Sequence, residues 1–460
     1  MQKSPENKAS QSEPIWDVIV VGGGPAGMMS AGRAGELARA CGRGPESKNP
    51  LRILLVEKND SLGKKLLITG GGRCNVTNAE FDDRILLTKF KDAGKFLFSA
   101  FSQYSVKNSL DFFNGHGMAT KVEPGKRVFP VSDSARSVWE VMLQYLNDGG
   151  VTVRSNCTVT GFEKDESGKI SAIIIRETSS KADSIKKTTT ASKTDGASKI
   201  FGKTFILATG GKSHPETGST GEGFAWLKDI GHKVNDQGSA LVPIETSDAW
   251  SKKLSGIALP EAKITVFQDG QKQQVIKGKM LFTHFGLSGP AILNASTYIG
   301  ELMRESDVEL SLDLLPQHDY ATLNKALQDL FTKEHIKKFK NAIDGLIPSA
   351  FVPVILEKSG IDGDKQCNSV TRDERLDLVK VLKDIRLHPT GLLDADKAIV
   401  TSGGVDLTEV DFKTMCSKIV PNLFLVGDVL DIDRPSGGYS LQICWTTGSV
   451  AGTHVIELLT

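Results

Sequence analysis

Three glycines at a fixed spacing, Gly22, Gly24 and Gly27, form a GxGxxG in the run GGGPAG, with Pro25 and Ala26 inside it. That spacing suits a dinucleotide. The first glycine allows a tight turn, the second admits a pyrophosphate against the backbone, and the third lets a helix pack closely on a strand. The unpaired N–H groups and partial positive charge of the helix start then face the phosphates. Glu57 ends the apolar segment RILLVE. A carboxylate there can accept both hydroxyl hydrogens of an adenosine ribose and disfavours a 2′-phosphate, so the tightly bound dinucleotide is expected to be FAD or NAD. Glu57 stands farther from Gly27 than the usual ~20 residues, and the loop GRGPESKNP accounts for the excess.

A second acidic group, Asp428, follows Gly427 at the end of LFLVGD. In two-dinucleotide flavoproteins an Asp in this place binds the ribityl chain of FAD, and the following helix aims its N-terminus at the flavin. Here SGGYSLQ opens that helix, with Gly437 and Gly438 permitting close approach. Together with ATGG, which contains Ala208, Thr209 and Gly210, these features select FAD. No second strand-linked GxGxxG is present, so NADH or NADPH, if it is the reductant, is expected to dock transiently over the flavin.

Candidate catalytic residues are Arg73, which could orient an anionic substrate or support the reduced flavin, and His284 in FTHFGLSGP, a possible proton donor. Arg73 serves equally well as a phosphate or structural arginine. Cys74 could be redox-active, but no resolving cysteine lies nearby, which favours a buried packing thiol. His214 and Tyr439 are weaker candidates of the same kind.

These residues need a parallel sheet to position them. DVIVV (17–21) reads as a strand buried on both faces, followed by the glycine turn and a helix over residues 28–41. RILLVE (52–57) is a second buried strand, FILA (205–208) a third and NLFLV (422–426) a last one, followed by a helix over about 440–458. Helical texture covers 85–114 and 138–146, with short strands near 151–154 and 157–162. The expected fold is therefore α/β: a Rossmann-type FAD-binding domain over residues 15–240 and 394–460, split by a β-rich insert over 241–393 whose helical part spans about 320–382. Residues 1–14 are expected to be a disordered tail. Residues 176–203, rich in Ser, Thr and Lys, are expected to be a flexible loop between two hairpin strands.

Composition narrows the partners. The net charge of +1 over 460 residues leaves no electrostatic footprint for nucleic acid, so a small-molecule substrate is expected. Six cysteines without CxxC spacing fit reduced thiols and no metal site. The polar start carries Glu6 and Glu13, and no stretch approaches the ~20 apolar residues of a membrane span, so a cytoplasmic protein is expected.

DVIVVGGGPAGMMSA, VEKNDSLGKKLLITGGGRCNVTN, PETGSTGEGFAWLKDIGH, LFTHFGLSGPAIL, AIVTSGGVDLTEVD and LFLVGDVLDIDRPSGGYSLQ resemble the YhiN/BaiN-type FAD-dependent flavoproteins, often described as aminoacetone oxidase-like or NAD(P)/FAD-dependent oxidoreductases. The resemblance runs from residue 17 to the C-terminus and implies a β-barrel-like insert carrying a helical subdomain. It further implies that Lys58 lies beside the ribose, that Lys65, Gly72, Arg73, Cys74 and Asn75 lie along the cofactor, that Val159 meets adenine through its backbone, and that Gly438, Tyr439, Ser440 and Leu441 join Asp428 at the flavin end. The family more often has Glu at 428, Asn at 440 and Tyr at 214. The resemblance admits reduction of a conjugated enone with NAD(P)H and oxidation of a small amine such as aminoacetone with oxygen. A tRNA-modifying flavoprotein and a non-catalytic flavin sensor are the competing classes.

Overall fold

The computed structural model describes residues 14–177, 197–235, 239–393, 400–401 and 403–460. Most of the expected tail (1–13), the centre of the expected loop (178–196) and the start of the last segment (394–399) lie outside the described residues. Contacts divide the chain into two compact units, Met1–Gly238 with Val400–Thr460, and Ser239–Ile399.

In the first unit the run WDVIVV forms β1 (Trp16–Val21), buried from Asp17 onward. It lies between β2 (Ile53–Val56) and the C-terminal half of a long strand, Ala197–Leu207, parallel to both; Val18 pairs with Ile53 on one side and Thr204 on the other. After β2 the chain makes a small antiparallel sheet of β3 (Thr77–Asn78), β4 (Thr120–Glu123) and β5 (Arg127–Pro130), before and between the two expected helical stretches. Strand β6 (Thr152–Arg154) extends the main sheet beside β2. β7 (Cys157–Lys164) and β8 (Ile170–Glu177) then form an antiparallel meander with the N-terminal half of β9, the strand Ala197–Leu207.

β9 thus serves two neighbourhoods. It begins well before the expected FILA and takes in residues 197–203 of the expected loop. The polar composition there hides a one-faced strand: Ile200 is buried while Ser198, Lys199 and Phe201 are exposed. The last strand, Leu423–Leu425, pairs parallel with Phe205–Leu207, so the far end of the chain completes the sheet. Asn422 fastens it, accepting from Ile170 N at 3.0 Å and donating to the carbonyls of Ile170 and Lys203 at 2.8 and 2.9 Å.

Helix α1 (Pro25–Ala40) has Pro at its start, where the missing N–H costs nothing. It packs against the C-terminal helix Tyr439–Glu457. That approach depends on small residues, since a Cβ on Gly448 would stand 2.7 Å from the Ala26 carbonyl oxygen. Full burial of each large apolar side chain in this core contributes about 1.5–3 kcal/mol.

The second unit is a seven-stranded sheet, antiparallel in its described pairings, running from Ile385–Leu387 at one edge to Pro389–Leu392 at the other. Helices Tyr320–Lys333, Phe339–Ile343, Val352–Ser359 and Arg372–Lys383 bury Leu327, Phe339, Ile355 and Leu378 in its core. No helix among the described residues is long and apolar enough to cross a membrane.

Candidate functional site

Because β1, β2 and β9 are parallel and in register, with Val21 opposite Val56 and Leu207, they end together. A crevice opens beyond those C-terminal ends, where open parallel sheets bind ligands. It is a cleft lined among the expected residues by Gly22, Gly24, Pro25, Ala26, Glu57, Lys58, Lys65, Val159, Ala208, Thr209, Gly210 and Asp428. Thr217 to Glu222, Trp226, Cys157 and Cys444 also line it and were not singled out from sequence.

The three glycines divide the work as their spacing suggests. Gly22 has φ +106°, and a Cβ there would stand 2.5 Å from the Ala208 carbonyl oxygen. A Cβ on Gly27 would stand 1.9 Å from the Gly22 carbonyl oxygen, so this glycine lets α1 seat on the turn. Gly24 would meet nothing within 4 Å, which leaves open space at the helix start. Gly24 is also the N-cap and provides no side-chain hydrogen bond, so a bound anion can take that place.

Glu57 is 9% exposed. Its Oε2 accepts from Gly23 N at 2.8 Å, and its Oε1 accepts from Asn59 N and Nδ2, each at 2.8 Å. These donors hold the carboxylate at the strand end with lone pairs to spare. Lys58 Nζ is bonded to Thr220 Oγ1 at 2.8 Å and paired with Glu222 at 3.0 Å. Thr209 Oγ1 is buried without a hydrogen-bond partner among the described residues. The space over Gly24, the uncapped helix start, the anchored carboxylate and this orphaned hydroxyl fit a dinucleotide.

Toward Asp428 the lining is charged. Lys65 Nζ donates to the Ser213 carbonyl at 3.2 Å and also bonds Ser213 Oγ, and it lies 3.9 Å from Asp428 Oδ2. Burial lowers the Lys65 ammonium below the ordinary lysine value, against the opposing pull of Asp428. Asp428 Oδ1 accepts from Arg434, whose Nε also donates to Ser440 Oγ at 3.0 Å. Arg434 and Ser213 were not among the sequence candidates, although the quoted DIDRPSGGYS contains Arg434.

Several expected residues stand away from the cavity lining. Arg73 is bonded through Nη2 to Glu123 and Asp133, each at 2.5 Å, and stacks 4.2 Å from the centre of the Phe129 ring. An anionic substrate would have to displace both carboxylates, which hold its pKa above the ordinary arginine value. Cys74 is fully buried and has φ +60°, and burial pushes its thiol up to about 12, so it packs rather than reacts. Gly72 lies beside it with φ +84°, and Asn75 Oδ1 is buried without a hydrogen-bond partner among the described residues.

At the start of the C-terminal helix, a Cβ on Gly438 would stand 2.4 Å from the Thr77 carbonyl oxygen. Tyr439 packs edge-on against Phe90, and Leu441 is buried in the core, so of these neighbours Ser440 is the one tied to the charged end. Gly427, φ +67°, donates its N–H to Thr447 Oγ1 at 3.0 Å. His214, φ +54°, pairs with Glu216 at 2.9 Å. His284 belongs to the second unit, where it is exposed beside Phe285 in the loop before Gly286–Ser288.

Comparison with known proteins bears on this geometry. The family model described as HI0933-like protein Rossmann domain matches residues 16–454. The 3-dehydro-bile acid delta(4,6)-reductase of Clostridium scindens is 27% identical over 439 residues, covering 95% of this chain and 98% of that protein. The ribosomal RNA dihydrouridine synthase of Escherichia coli is 28% identical over 446 residues, covering 96% and 98%. A solved structure of 3-ketosteroid delta1-dehydrogenase from Sterolibacterium denitrificans matches in fold, with a TM-score of 0.51, 13% identity, and coverage of 96% of this chain and 100% of that one.

Proposed function

The chain belongs to the HI0933-like Rossmann-domain family and is an FAD-dependent oxidoreductase, and from that premise we propose that it reduces a carbon–carbon double bond conjugated to a carbonyl, with NADH or NADPH as electron donor. The balanced reaction is enone plus NAD(P)H plus a proton giving the saturated ketone and NAD(P)⁺. The observation that carries it is one cleft with the glycine turn and Glu57 at one end and the Lys65–Asp428 pair at the other. Bound FAD supplies the hydride chemistry, and the protein supplies orientation and electrostatics. Gly22 to Gly27 and the start of α1 would hold the pyrophosphate, Glu57 the ribose, Val159 the adenine edge, and Asp428 with Ser440 the ribityl and flavin end.

The two named relatives support this reading. One is a reductase of an unsaturated 3-dehydro-bile acid, and the other makes dihydrouridine, which is uridine with its carbonyl-conjugated double bond reduced. Both names describe the same bond change. The acceptor distinguishes two readings for this chain: a small enone, which the +1 net charge favours, or a uracil in RNA, which the likeness to the second relative favours. Initial-rate plots with NAD(P)H and an enone are expected to be parallel, because donor and acceptor use one cleft in turn; intersecting plots reject that scheme. Retention of the protein on RNA at ~150 mM salt, with reduction of its uridines and none of the enone, would establish the RNA reading.

A further inference from the structure

At the Asp428 end of the cleft, a buried guanidinium and a partly covered ammonium face one carboxylate. The Arg434 side chain is 1% exposed and Asp428 is 16% exposed. One guanidinium uses three nitrogens: Nη2 donates to Asp428 Oδ1, Nε to Ser440 Oγ at 3.0 Å, and Nη1 to the Ile432 carbonyl at 2.5 Å. Lys65 faces the other carboxylate oxygen at 3.9 Å. The neighbouring ammoniums have carboxylates of their own, Lys58 with Glu222 at 3.0 Å and Lys64 with Asp60 at 2.9 Å. Glu216, which also acts on Lys65, is bonded to His214 at 2.9 Å. The cluster of Lys65, Asp428 and Arg434 is therefore left with an excess of positive charge. Such an excess is costly in a covered site until negative charge meets it.

We propose that Arg434 is a positioning residue. By binding Asp428 Oδ1 it adds a second positive charge against the one carboxylate and leaves Lys65 only the other oxygen, and by binding Ser440 as an acceptor it directs the hydroxyl proton elsewhere. The Lys65 end of the cleft stays cationic, which favours FAD in its reduced, more negative state. This rests on the FAD reading and adds to it the residue that sets the charge at one end of the cofactor.

The test uses holoprotein, with the FAD midpoint potential measured by dye equilibration and the FAD Kd by fluorescence titration of the reconstituted apoprotein. Arg434→Gln is expected to move the potential to a more negative value and to raise Kd about tenfold or more, as for a lost charge-assisted bond. Arg434→Lys keeps the charge but cannot reach Asp428, Ser440 and Ile432 together, so its potential should stay near wild type while its Kd falls between the two. A purely structural role would weaken binding in both variants without moving the potential. Wild-type potential and a Kd within twofold in R434Q would overturn the proposal. Should R434Q fail to fold, Asp428→Asn decides: removing the negative charge is expected to move the potential upward, and no movement or the opposite sign rejects the account. A wild-type protein that holds no FAD overturns the cofactor reading itself.

Discussion

At the Glu57 end of the cleft the protein presents mostly backbone, whereas at the Asp428 end it presents buried side-chain charge. The first end is local and steric: Gly22, Gly24 and Gly27 lie within six residues, Gly22 and Gly27 where a Cβ would strike backbone and Gly24 beside open space. The second end is assembled from far-apart segments, with Lys65 from the region after β2, Ser213 from the loop after β9, and Asp428, Arg434 and Ser440 from the end of the chain. Backbone geometry of the first kind leaves a spacing in the sequence. A charge cluster of the second kind leaves only single polar letters.

The largest expected effect is a break in the steric end. Gly27→Val places a side chain where the Gly22 carbonyl already stands, 1.9 Å from the ideal Cβ, so α1 cannot seat. FAD binding is expected to weaken by about a hundredfold or to be lost, from a clash worth ~3 kcal/mol, read as cofactor content after reconstitution. A holoprotein of normal content would show that the turn does not shape the site.

Glu57→Gln is a smaller perturbation at the same end. The amide keeps an acceptor for Gly23 N but loses the charge, and FAD affinity should fall about tenfold. Fluorescence titration would show this, and an unchanged Kd would remove Glu57 from the site.

The charged end should respond to pH. Burial sets the Lys65 pKa below its ordinary value, opposed by Asp428 and reinforced by Arg434, with Cys444 and Glu216 also facing it. Lys65 is therefore charged below that lowered pKa and neutral above it. FAD affinity should decline by about threefold to tenfold as pH rises toward, but before reaching, the ordinary lysine value of about 10.4. The Cys444 thiol, pushed up to about 12, does not titrate in that interval. Lys65→Met should abolish the decline; a decline that persists in this variant would assign it elsewhere.

The smallest effect is expected at Cys74. Its thiol is buried and raised by burial alone, so Cys74→Ser should leave the rate of reduction by nicotinamide within about twofold of wild type. Loss of turnover would make the thiol a participant.

The same contrast explains what could be read before the structure. β1, β2, the last strand and their helices were legible because strands buried on both faces are continuous apolar runs. Near residue 240 the texture changes as alternation replaces those runs, and contacts divide the chain at Ser239. The small sheet of β3 to β5 was not legible, because short, half-exposed segments such as TKVE carry no strong period. The start of β9 was obscured by a polar face. Arg434 was within view, in DIDRPSGGYS, yet an arginine before a Pro-Ser-Gly-Gly turn gives no sign of burial; its role depends on where Asp428 and Ser440 fold. Arg73 shows the reverse, a residue in a distinctive motif whose charge is taken up by Glu123 and Asp133 from the β4–β5 sheet and the turn after it.

The central claim is that this cleft holds an FAD that takes electrons from a nicotinamide and passes them to a conjugated double bond. Anaerobic mixing of the purified holoprotein with NADH or NADPH, followed by an enone or by oxygen, tests it in one experiment. The account predicts rapid bleaching of the flavin absorption by one nicotinamide and its faster return with enone than with oxygen, with saturated ketone as product. Bleaching by aminoacetone but by neither nicotinamide, with return only in oxygen, would contradict it and make the protein an amine oxidase.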